Sequence, residues 1–213
     1  KHTTPIGTAC HELSHDIGLG AVDMYDASPS QGEGIYSIEA HGSKTKIDTD
    51  SFKGETPTHM DPFNLMRMGL LQPTLVTQSG QYTVESSDTG RYNVLKIPTR
   101  DPKQYFLVEN RQFKGFDEGL KTLCRVSGGI AIWHVDENAY PTQPELNLGV
   151  NNFAGGAYSY IADLEEANEG ILGFSQLETG NSYLNPQRTG PSGYLHFYFS
   201  NNTDTTFLNT NTF

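Results

Sequence analysis

The sequence predicts an α+β protein, in which a short helical segment (residues 1–72) leads into a β-rich portion (residues 73–213) built as an antiparallel sheet or a sandwich. Three observations support this. The first 72 residues hold two helix-start signals. After Pro73 the pattern turns to alternating or continuous β-type runs. The chain also spends 22 glycines, 11 prolines, 11 tyrosines and 11 phenylalanines on 213 residues, a composition that favours short strands joined by many turns.

The first helix is predicted from Thr4 as N-cap, Pro5 at the first helical position and the apolar residues Ile6, Ala9, Leu13 and Ile17, which form one stripe near a 3.6-residue period; Gly18 ends it. From residue 20 to 53, Gly, Ser, Asp and Thr dominate without periodicity. That stretch reads as irregular, with a short extended piece over 35–38. A second, short helix is signalled by Asp61 as N-cap and Pro62, then Phe63, Leu65, Met66 and Leu70, with Gly69 near its end. Strands are expected over 81–84, 92–97, 105–109, 130–135, 158–162, 194–199 and 206–208. The connectors 141–157 and 178–193 are rich in Asn, Gly, Pro, Ser and Thr.

Charge narrows the function classes. Fourteen Lys+Arg stand against 25 Asp+Glu, a net charge of −11, and no clustered basic surface is visible, which argues against nucleic acid or anionic lipid as partner. No apolar run approaches the roughly 20 residues needed to cross a bilayer. Cys10 and Cys124 allow at most one internal disulfide.

The chemistry lies on the first helix. His11-Glu12-Leu13-Ser14-His15 reads HExxH, which sets His11 and His15 one turn apart on a single face, so both imidazoles reach one metal ion. Glu12, beside them, is placed to accept a proton from a metal-activated water and pass it to a leaving amine. Such a site needs a third ligand from elsewhere, and zinc is its common catalytic ion. Gly18, three residues past His15, lets the chain turn beneath the metal and bring that ligand round.

The stretch HELSHDIGLGAVDMYD (11–26) resembles the zinc signature of the immune inhibitor A type of secreted metallopeptidases, the M6 peptidase family. GIYSIEAHGS (34–43), PTHMDPFNLMRMGLLQP (57–73), YFLVENRQFKGFD (105–117) and GGIAIWHVDENA (128–139) match in the same order, so the resemblance covers roughly residues 8 to 139. It implies a metzincin-like active-site helix and lower catalytic subdomain within residues 1–72. It also implies zinc bound by His11, His15 and Asp23, Glu12 as general base, protein or peptide substrates and a secreted, extracellular enzyme. A sheet subdomain normally precedes the helix in such enzymes, so an upstream part of the same polypeptide is expected as a partner, and the chain on its own is expected to bind zinc while cleaving poorly.

Two departures from the family pattern stand out. Asp23 lies eight residues after His15, where the family places its Asp at six, and Ala21 holds that position. Gly18 and Gly20 can absorb the extra length; Asp26, Glu39 and His41 are the rival ligands. Glu39 stands where related enzymes carry a Met in a tight turn beneath the metal.

Tyr25 and Tyr36 fall near the site, although packing is the ordinary role of such residues, and a hydrogen-bonded structural role is expected for His59 and His134. Glu109 and Arg111 read as an internal ion pair. Asp48 with Asp50, and Asp163 with Glu165 and Glu166, offer oxygen donors of the kind Ca2+ takes, with solvated acidic surface as the simpler account. Asn201 opens a glycosylation sequon. The resulting expectation is a zinc-dependent endopeptidase. The alternative is a noncatalytic β-sandwich binding module with a relic or incomplete metal site; a glycosidase with paired carboxylates is a more distant rival, since nothing in the sequence positions two of them.

Overall fold

The computed structural model describes residues 4–25, 33–124, 128–139, 161–164 and 199–200. Helix α1 spans Ile6–Ser14. Pro5, rather than Thr4, takes the N-cap position, and no side chain caps the helix. The reason is tertiary: the free N–H of Gly7 donates to Gly54 O at 2.8 Å, so a distant carbonyl replaces the threonine hydroxyl. The helix also stops before Gly18. Asp16 N bonds Leu13 O and Ile17 N bonds Ser14 O in tighter turns.

The predicted apolar stripe of α1 does not face the protein. Ile6 and Leu13 are exposed, whereas Gly7, His11 and Ser14 are buried. Gly7 explains the rotation, because a Cβ there would lie 2.1 Å from Ser43 O. The helix turns its one side-chain-free position, and with it the histidine face, onto the loop that follows.

That loop holds turns at 33–35 and 38–40 and a 3-10 turn over His41–Lys44, not the extended piece expected at 35–38. Helix α2, Pro62–Arg67, forms as expected: Asp61 accepts from Asn64 N at 2.7 Å, and Gly69 follows the helix with φ 74°.

The sheet comprises β1 (Thr74–Leu75), β2 (Leu95–Pro98), β3 (Gln104–Gln112), β4 (Gly128–Asp136), β5 (Ala162–Leu164) and β6 (Phe199–Ser200). Its order is β1-β2-β3-β4-β5, with β6 also paired to β4. It is mixed rather than wholly antiparallel, because β1 runs parallel to β2, with Thr74 opposite Leu95. Residues 81–84 form no strand. Side chains satisfy their neighbourhood instead: Asn93 accepts from Glu85 N and donates to Thr83 O, and Asn110 donates to Val84 O. The runs at 92–97, 105–109 and 130–135 correspond to β2, β3 and β4 with shifted ends. Those at 158–162 and 194–199 touch β5 and β6 only at their last residues; 158–160 and 194–198 lie outside the described residues, as do 206–208 and both long connectors. A further helix, α3 (Glu118–Cys124), was not legible in the sequence.

Period-two alternation divides the sheet. Leu107 and Trp133, directly paired across β3 and β4, join Tyr105, Ala131 and Val135 in a cluster with Met24, Ile35, Tyr36, Ala40 and Phe63. Leu95, Val108 and Ile132 pack on the opposite face. One buried cluster therefore draws on both the helical segment and the sheet. No helix among the described residues is long and apolar enough to cross a membrane.

Candidate metal centre

Four side chains from three segments converge: His11 from α1 and His15 from its C-cap, Asp23 from the turn after it, and Glu39 from the next loop. One ligand atom from each lies within 4.8 Å of the others. His11 Nε2 is 3.0 Å and His15 Nε2 3.7 Å from Asp23 Oδ1; Glu39 Oε2 lies 3.9 Å from His15 Nε2 and 3.6 Å from His11 Nδ1.

Backbone carbonyls orient both rings. His11 Nδ1 donates to Ile38 O and His15 Nδ1 to Ala21 O, each at 2.9 Å. With the proton held at Nδ1, a neutral imidazole presents its lone pair at Nε2, the arrangement that metal-ligating histidines adopt.

The turn carrying Asp23 follows from its glycines. Gly18 (φ 63°) and Gly20 (φ 75°) are both left-handed, and Cβ atoms there would meet Met68 O at 2.3 Å and His15 O at 2.5 Å. These two residues accommodate the eight-residue spacing. Helix α2 then clamps the turn. Asn64 accepts from Val22 N (2.7 Å) and donates to Val22 O (3.0 Å), while Arg67 donates to Gly20 O and Leu19 O. Asn64 and Arg67 escaped the sequence reading. Asn64 does lie one turn into a helix with a clear cap, but nothing local shows what it reaches.

Charge accounts for the remaining contacts. Asp23 Oδ1 and Glu39 Oε2 are buried without a hydrogen-bond partner. A neutral His11 meets Asp23 with a lone pair, so a positive species belongs between them, either a proton or a metal ion. In the metal-free chain it is a proton: the hydrogen bond to Asp23 pushes the His11 pKa up to about 9, against the opposing effect of burial. Burial likewise pushes Glu39 up to about 7, with the Ser14 hydrogen bond and the nearby imidazoles pulling it back. Ser14 Oγ lies 2.5 Å from His11 O and 2.6 Å from Glu39 Oε1. A hydroxyl has one proton for these two acceptors.

The other sequence candidates divide clearly. Glu12 is exposed beside His11. His41 stands outside the group, with its ring 5.1 Å from that of Tyr25, and Asp26 lies outside the described residues. The Tyr25 ring is 5.9 Å from that of His11, so it borders the site, while Tyr36 is core. His59 Nδ1 donates to Met60 O, and His134 stacks on Phe106, both structural placements. Arg111 and Glu109 do pair, fully buried, at 3.3 Å. Asp50 accepts from Ile47 N and Thr56 Oγ1 within its own loop. Cys10 is a free, exposed thiol. Glu165, Glu166 and Asn201 lie outside the described residues.

Compared with protein-family models, with curated proteins and with solved structures, the chain shows no match. The donor set could hold a metal ion: two imidazoles with fixed tautomers and two carboxylates with buried, unpartnered oxygens.

Proposed function

We propose that the protein is a secreted zinc-dependent endopeptidase of the M6 type that hydrolyses peptide bonds with Glu12 as general base and His11, His15 and Asp23 as metal ligands. The observation carrying this reading is the convergence of Asp23 on both Nε2 atoms of an HExxH pair whose Nδ1 atoms are each tied to a carbonyl. When bound, zinc supplies a water of lowered pKa and polarises the scissile carbonyl. The chain contributes orientation and proton transfer. Ile38 O and Ala21 O fix the tautomers, Asn64 and Arg67 hold the Asp23 turn, and the exposed carboxylate of Glu12, next to His11, takes a proton from water and returns it to the leaving amine.

Zinc titration and hydrolysis of an unstructured protein substrate, run together, test the reading. Glu12→Gln is expected to keep one zinc per chain and to lose at least about 100-fold in turnover; His15→Ala is expected to lose the zinc as well. Turnover that survives Glu12→Gln defeats the assignment. A second reading, a noncatalytic module that holds a metal, is favoured by the presence of Glu39 as a fourth donor and predicts zinc bound stoichiometrically without turnover.

A further inference from the structure

Glu39 has no role in the ligand set just proposed, yet it has the features of a ligand. Its side chain is fully buried, and Oε1 rests on Ser14 Oγ at 2.6 Å. Oε2 has no hydrogen-bond partner and lies among the rings, 3.9 Å from His15 Nε2 and 3.6 Å from the Nδ1 side of His11. The edge of a tetrahedron with bonds of roughly 2.1 Å is about 3.4 Å, so the observed spacing is within ordinary side-chain adjustment of a common centre. Position is enforced from the backbone, since Glu39 N donates to Ser37 Oγ at 3.2 Å and Glu39 O accepts from Met24 N at 2.8 Å, one residue from Asp23. Charge points the same way: Asp23 and Glu39 together neutralise one divalent cation, and a buried carboxylate with an orphaned oxygen is costly without one.

We propose that Glu39 is a fourth protein ligand, so that the centre is a two-histidine, two-carboxylate site. This rests on the metal-site reading above and changes its resting state. Four protein donors leave a tetrahedral ion no open corner, and access by water then requires a fifth position or the withdrawal of Glu39.

The test uses the 213-residue chain with Zn2+ and Co2+ alone, comparing wild type, Glu39→Gln, Glu39→Met and His15→Ala. Chelator competition gives affinity, the visible spectrum of the Co2+ form reports the ligand set, and thermal melts are run with and without Zn2+. Both Glu39 variants are expected to weaken Zn2+ binding by about 100-fold or more and to shift the Co2+ bands. The rise in melting temperature that Zn2+ gives wild type is expected to shrink in both. Unchanged affinity and spectrum in both variants, with His15→Ala still losing metal, overturn the role of Glu39 and leave the metal site standing. Failure of wild type to bind either ion, or full binding by His15→Ala, overturns the underlying reading instead. Glu39→Met keeps the test decisive if Glu39→Gln fails to fold.

Discussion

Gly20 illustrates how much of the site depends on one missing atom. At φ 75° an L side chain is strained by about 1–2 kcal/mol, and its Cβ would also overlap His15 O at 2.5 Å. Gly20→Ala is therefore expected to move the Asp23 turn away from the histidines, lowering stability by at least that strain and weakening zinc binding in a chelator competition. Glu33 carries a second residue-scale prediction. It is fully buried with neither carboxylate oxygen partnered, and burial, followed by the nearby Asp61 charge, raises its pKa well above 4.5. The folded chain thus holds a proton that the unfolded chain releases above pH 4.5. Stability should fall as pH rises from there, by up to about 1.4 kcal/mol per unit until the folded value is passed. Urea titrations from pH 5 upward are expected to show a shallower fall in Glu33→Gln than in wild type, the remainder coming from Glu39 and His11, whose raised pKa values act in the same direction.

Helix α2 is only six residues long, but it works as a clamp. Asp61 caps its first turn, and Asn64, held to Asp61 Oδ2 at 2.9 Å, presents its amide to both backbone groups of Val22. Asn64→Leu removes those bonds and leaves the Val22 groups without their partner, a cost of about 1–3 kcal/mol for a buried group left unsatisfied. Because Val22 adjoins Asp23, the same variant is expected to weaken zinc binding by about 10-fold or more, the scale seen when the support of a ligand is lost. Equal zinc affinity in wild type and Asn64→Leu would show that the turn holds itself. Helix α1 works differently. Its hydrophobic side is exposed at Ile6 and Leu13, and its inner side is committed to the histidines, Ser14 and the close approach at Gly7.

Across the whole molecule, the loop beneath the site and the sheet are joined by a buried polar network. Arg111 on β3 donates to Asp117 through Nε and Nη2, to Glu109 and to Tyr36 O through Nη1, and to His59 O. Trp133 Nε1 and the Tyr92 hydroxyl donate to the Glu109 carboxylate. Removing the cation leaves two carboxylates buried together. Arg111→Met is expected to cost about 3–5 kcal/mol in urea unfolding. Arg111→Met combined with Glu109→Gln and Asp117→Asn should recover part of that loss, because the uncompensated charges go with it.

Local chemistry in the sequence determined the Asp61-capped helix and the three central strands, because capping and period-two alternation act within a few residues, and it indicated a helix through His11 but with a different cap and a different inward face from those that form. It also marked Glu39 and the Glu109–Arg111 pair as places to look. Tertiary structure alone decided which side of α1 faces inward, since that depends on where Gly7 meets Ser43. It likewise decided that β1 runs parallel to β2 and that Asn64 grips Val22 across 42 residues of chain. It placed Glu39 within reach of both histidines and left His41 outside. Those outcomes are set by contacts between segments far apart along the chain, where no local pattern indicates which backbone group or charge will be the neighbour.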